Sequence, residues 1–162
     1  MKKLLLVLCL TIFWGSNIFA QQPNGKMVGF GIMVGDPTGI TAKFWTNDIN
    51  AVDVDLGASY FGSPRINVDY LWHFDTFDSR LGNLYAGIGG AVGFGKGNGF
   101  YYKDKYIRTS GNAGLGARGV FGVDIVPRRT PLEIFLEFGV LVAVVPDFGS
   151  SADVALGMRF YP

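Results

Sequence analysis

Ala51-Val52-Asp53-Val54-Asp55-Leu56-Gly57-Ala58-Ser59-Tyr60 decides the fold. Successive side chains on a strand point to opposite faces. Val52, Val54, Leu56, Ala58 and Tyr60 therefore share one apolar face, and Asp53 and Asp55 lie on the other. The same alternation starts at Val28 and recurs to the end of the chain. It divides into strands at about 27–35, 39–46, 50–61, 65–75, 83–94, 107–125, 132–144 and 151–161, joined by turns such as Gly62-Ser63-Pro64, Pro127–Pro131 and Pro146–Ser150.

Residues before the first strand set the compartment. Lys2 and Lys3 precede an apolar run from Leu4 to Trp14, followed by Gly15-Ser16-Asn17 and by Ala20. The run is shorter than the roughly 20 residues a membrane helix needs. It reads as an export signal over 1–20, cleaved near Ala20. The mature chain, 21–162, then holds no cysteine, because Cys9 lies inside the run. Its charge is nearly balanced, which gives no basis for a nucleic-acid partner.

Eight strands behind an export signal predict an all-β, eight-stranded antiparallel up-and-down barrel. Alternation alone does not say which face is inside. Three features favour an outer-membrane barrel of a Gram-negative cell with its apolar face outward. The polar face mixes charges of both signs with many of the 24 glycines. Aromatic residues gather near strand ends, at Phe44-Trp45, Tyr60-Phe61, Trp72 with Phe74, and Phe160-Tyr161. The strands approach the roughly 9–11 residues a tilted strand needs to span.

Gly157-Met158-Arg159-Phe160-Tyr161 resembles the C-terminal signature read by the barrel-assembly machinery, with Pro162 departing from its terminal aromatic. The segment Gly35-Asp36-Pro37-Thr38-Gly39, leading to Lys43 and Trp45, resembles the signature of a family of small outer-membrane β-barrel proteins. Asp69-Tyr70-Leu71-Trp72-His73 resembles a later strand of that family. The resemblance implies a barrel of the size of OmpX and of the OmpA transmembrane domain. It implies no particular activity.

A lumen this narrow is filled by its own side chains. Charges inside it need partners. The inward set is Lys43, Asp53, Asp55, Arg65, Asp69, His73, Arg118, Asp124, Glu133, Glu137, Asp153 and Arg159. A short connection near Asp48 sets Lys43 opposite Asp53 and brings Thr41 near Asp55. A turn centred near Phe148 sets Glu137 opposite Arg159, and Arg65 and Arg118 serve the remaining carboxylates. Acids outnumber bases, so some carboxylates must reach water, His73 or one another.

Catalysis, a cofactor and a metal are not expected. His73 is the one histidine. Asp69, Asp75 and Asp53 come near it in sequence or register, but there is no evident nucleophile. Gly114-Leu115-Gly116-Ala117-Arg118-Gly119 matches a dinucleotide fingerprint by letter, yet no helix follows it. No Cys/His spacing suits zinc, and no acidic loop has calcium-ligand spacing.

The best surface candidate is the strand 5–6 loop with Lys96, Phe100, Tyr101, Tyr102, Lys103 and Lys105. With the N-terminus periplasmic it faces the exterior, where it could meet lipopolysaccharide phosphates or an unknown surface ligand. The expected protein is a monomer in outer-membrane lipid, with a closed, charge-paired lumen and a structural or surface-interaction role. Two alternatives stay open: a narrow channel or small-ligand carrier using the Gly-rich side of the lumen, and a secreted soluble β-barrel binding an apolar ligand.

Overall fold

The computed structural model describes residues 25–74, 82–95, 97, 113–127, 130–146 and 148–162. Residues 1–24, with the expected export signal, and nearly all of the loop 96–112 lie outside the described residues, as does Asp75. Eight strands form one closed antiparallel barrel in chain order, with β1 also paired to β8. They are β1 (Val28–Gly35), β2 (Thr38–Trp45), β3 (Asn50–Ser59), β4 (Gly62–Phe74), β5 (Gly82–Gly93), β6 (Gly114–Ile125), β7 (Leu132–Val145) and β8 (Gly149–Phe160). The fingerprint-like Gly114–Gly119 segment is part of β6. Of the chain segment 107–113, read from the sequence as the start of this strand, residues 107–112 lie outside the described residues.

The apolar set points outward and the ionic set points in. Ile88 is 63 % exposed and Phe121 53 %, whereas Lys43, Arg65 and Arg159 are fully buried. No Asp, Glu, Lys or Arg points outward from the described strands. The sheet leaves no free edge, because closure pairs the first strand with the last.

Two expectations about faces need correction. Tyr60 is buried, not outward. The β3–β4 ladder shifts register between Gly57 and Ser59, so Ser59, Tyr60 and Phe61 all turn inward over one mouth of the barrel. Half of the expected aromatic girdle is also inside. Trp45 and Tyr161 are buried while their neighbours Phe44 and Phe160 are exposed. Residues adjacent in a strand cannot share a face. The outward aromatics Phe44, Tyr70, Trp72 and Phe160 still gather at the barrel end that carries both chain termini, with Phe30 edge-on to Phe44 at 6.4 Å and Tyr70 edge-on to Trp72 at 5.2 Å.

The β7–β8 register also differs from the sequence reading. Arg159 stands opposite Glu133, and Glu137 stands opposite Ala155. Ala143 pairs with Gly149, so the turn closes nearer Pro146 than Phe148. The β2–β3 register sets Lys43 opposite Asp53 and Thr41 opposite Asp55.

Candidate functional site: the enclosed ionic lumen

The lumen is filled in three tiers. At the end bearing the termini, Lys43 Nζ lies 3.1 Å from Glu133 Oε1 and 3.2 Å from Asp124 Oδ2. The cation also sits 4.7 Å from the centre of the Trp45 ring and 5.3 Å from that of Tyr85. Lys43 thus faces Asp53 across the ladder but sends its ammonium across the lumen to β6 and β7. Its long flexible stem allows this reach. Asn83 donates to the other Asp124 oxygen at 2.9 Å, and Tyr161 OH donates to Glu133 Oε2. Trp45 Nε1 donates to Tyr161 OH at 3.2 Å.

His73 belongs to this tier and is fully buried. Its Nδ1 faces the Ile49 carbonyl at 3.2 Å, which can only accept, so Nδ1 carries the proton. Nε2 is 3.5 Å from Asp124 Oδ2, and the ring lies 4.3 Å from Trp45. Its acidic neighbour is therefore Asp124, not Asp69 or Asp53.

In the middle tier Arg159 holds Glu133 through Nη1 at 2.7 Å and Asp53 through Nη2. It also donates to Thr41 Oγ1 from Nε at 3.0 Å and lies over the Phe135 ring at 3.8 Å. Arg118 binds Asp69 through Nη1, and Glu137 at 2.8 Å and Asp153 at 3.1 Å through Nη2. Tyr85 OH donates to the second Glu137 oxygen at 2.9 Å.

The third tier closes the opposite mouth. Arg65 Nη2 lies 2.7 Å from Asp153 Oδ2, and its Nε donates to Asn67 Oδ1 at 2.6 Å. Arg65 Nη1 reaches Ser59 Oγ at 3.0 Å and Asp36 Oδ1 at 3.4 Å. All twelve ionisable residues expected inside are buried. Asp36, which the sequence reading placed only in the turn motif, joins them.

That motif has a physical account. Thr38 Oγ1 donates to the Gly35 carbonyl at 2.7 Å and accepts from its N–H at 3.1 Å, closing a two-residue turn around Asp36-Pro37. Gly35 has φ +123°, and a Cβ there would stand 2.2 Å from the Val154 carbonyl oxygen, so only glycine fits. The Asp36 carboxylate accepts from Ser59 Oγ at 2.5 Å and from the Tyr60 N–H at 3.1 Å. It staples the β1–β2 turn to the β3–β4 turn. Burial pushes its carboxyl above the ordinary range, against the pull of these two donors and of Arg65.

Among the neutral partners, sequence reasoning set Thr41 near Asp55, its ladder neighbour, but named no pairing for Trp45, Asn67, Asn83, Tyr85 and Tyr161. Their signal was parity, since each occupies an inward position on its strand or on the residue that continues it. It also left room for a cavity beside the inward glycines. Rings cover three of them: a Cβ on Gly29 would lie 2.5 Å from Tyr161 Cζ, one on Gly122 2.2 Å from Tyr85 Cζ, and one on Gly157 2.3 Å from Phe135 Cζ, while Gly87 faces Leu71 and Val120. The surface-loop residues Lys96, Phe100, Tyr101, Tyr102, Lys103 and Lys105 lie outside the described residues. Compared with known proteins, the chain matches no family and no curated relative.

Proposed function

We propose that this chain is a small outer-membrane β-barrel of a Gram-negative envelope, with a structural or surface-contact role rather than a catalytic or conducting one. The observation that carries this reading is the inversion of the barrel. Large apolar side chains cover its outside, and its paired charges are enclosed. In water that arrangement would expose a contiguous apolar surface far beyond what a soluble monomer tolerates. In lipid it is the expected one. The aromatic collar at one end suits an interface between lipid and water.

The closed lumen supports the structural role. Arg65, Arg159, Tyr85, Tyr161, Lys43 and Phe135 are its largest shielded side chains, and they fill all three tiers. On this reading the partners are outer-membrane lipid and lipopolysaccharide, the barrel-assembly machinery during insertion, and any surface ligand reached through the β5–β6 loop. Export relies on the segment 1–20.

Heat-modifiable gel migration after detergent extraction of the membrane fraction tests the reading. The unheated barrel is expected to run as a compact band, and the mature chain to need surfactant to stay monodisperse. A mature chain that is monodisperse in plain buffer would sink it. Steady conductance in a planar bilayer would transfer the assignment to the channel alternative.

A further inference from the structure

We infer that Asp55, Asp69 and Glu137 form a binding site for one hard divalent cation, calcium in the first place, inside the barrel. They come from β3, β4 and β7, and one oxygen of each lies within 4.8 Å of the others. All three residues are buried, at 2 %, 1 % and 3 % exposure. Two further observations point to a ligand.

The first is a pair of orphaned atoms. Asp55 Oδ1 and Asp69 Oδ1 are shielded from solvent and have no hydrogen-bond partner. Their sister oxygens are engaged, Asp55 Oδ2 by Asn67 at 3.3 Å and Asp69 Oδ2 by Arg118. A buried carboxylate oxygen without a partner is at least as costly as a lost charged hydrogen bond. Glu137 is held through both oxygens, by Arg118 and Tyr85, which fixes it while leaving lone pairs for a metal. Nε of Arg118 is also shielded and unpaired, and a water carried in by a hydrated ion would give it an acceptor.

The second is surplus negative charge. Four cations, Lys43, Arg65, Arg118 and Arg159, are enclosed with eight carboxylates, those of Asp36, Asp53, Asp55, Asp69, Asp124, Glu133, Glu137 and Asp153. Among these described carboxylates Asp55 alone takes part in no ion pair. A divalent ion beside it would halve the excess of four.

Donor type chooses the ion. Three carboxylates and no nitrogen or sulfur suit a hard cation. Calcium takes oxygen ligands in a flexible geometry, whereas magnesium demands a near-ideal octahedron and sheds its water reluctantly, which favours calcium among side chains already fixed by other bonds.

The site lies inside a closed lumen, so it loads during folding. The urea-unfolded full chain should be refolded with Ca2+, both with and without detergent, passed over a chelating resin, and assayed for metal. About one Ca2+ per folded barrel is expected, with at least about a tenfold loss in Asp55→Asn/Asp69→Asn and none in Asp124→Asn. If the double variant does not fold, Tb3+ luminescence excited through Tyr85 in the wild-type barrel gives an independent readout. Folded wild-type barrel without metal and without Tb3+ emission overturns the site, as does equal loading of a folded double variant. This outcome is separate from the membrane reading, because the lumen is enclosed whether the outside meets lipid or water.

Discussion

The Lys43 ammonium lies 3.1 Å from Glu133 on β7, although its direct neighbour in the sheet is Asp53 on β3. The cation bridges the barrel rather than one ladder. Removing it leaves Asp124 with Asn83 and His73 alone, while Glu133 keeps Arg159 and Tyr161. Lys43→Ala is therefore expected to destabilise the folded barrel by about 3–5 kcal/mol. Restoring shape without charge, as in Lys43→Met/Asp124→Asn, is expected to recover much of the loss. Urea midpoints in detergent or lipid read both. An unchanged midpoint for Lys43→Ala would show that the bridge is energetically idle.

Ring packing over inward glycines gives a sharper steric test. Tyr85 is fully buried and anchored by Glu137, so it cannot swing away from a Cβ placed on Gly122. Gly122→Ala is expected to cost about 1–3 kcal/mol by overpacking. In a Tyr85→Leu background most of that cost should vanish, which a double-mutant cycle detects. Gly119 points outward with nothing within 4 Å of an added Cβ, and Gly119→Ala should stay within about 0.5 kcal/mol of wild type. Equal costs at the two glycines would refute the packing account.

Strand alternation has a strict period of two, so it made most of this architecture legible from sequence. Asp53 and Asp55 had to share a face, and Val52 and Val54 had to share the other. The same rule was available for Phe44-Trp45 and Phe160-Tyr161, where reading adjacent aromatics as one girdle ignored it. Register depended on the turns. Asn47-Asp48 leaves little choice, and Lys43 opposite Asp53 follows from it. Around Pro146 several closures fit the same pattern, and a turn centre misplaced by two residues shifts the pairing by four, which put Glu137 in the place of Glu133. Ion-pair partners were least legible. A side chain as long as Lys43 or Arg118 chooses among acids across the lumen, and neighbours on a ladder do not limit that choice. The Asp55–Asp69–Glu137 cluster was hidden for the same reason, as closure of the barrel brings it together and no spacing in the chain records it.

The Asp36 turn carries a pH signature. In the unfolded chain its carboxyl loses its proton near the ordinary 3.8, and burial makes the folded protein keep that proton to higher pH. Above the unfolded value the folded state then binds more protons, so the stability this group contributes is full at low pH and is lost as pH rises through the folded value. Asp36→Asn removes the titration. Wild-type stability relative to Asp36→Asn is therefore expected to fall from about pH 4 upward. Urea midpoints of the pair across a pH series measure the difference, and a rising difference would mean that Arg65, Ser59 and the Tyr60 N–H together outweigh burial.

The outside of the barrel offers the most direct test of what surrounds it. Val140 is 55 % exposed near the middle of β7, opposite Gly119 and Ala152, with no charged residue beside it on its face. If this belt meets hydrocarbon, Val140→Lys places an ammonium near the bilayer midplane. The expected cost is about 2–4 kcal/mol for unfolding from lipid vesicles. On a water-facing surface the same change stays within about 0.5 kcal/mol, and by breaking an apolar patch it would improve solubility. Phe160→Lys, at the aromatic collar, should cost less than Val140→Lys in lipid, because a long cation near an interface reaches water. A Val140→Lys barrel as stable as wild type in vesicles would place that belt against water and remove the reason for assigning the chain to a membrane.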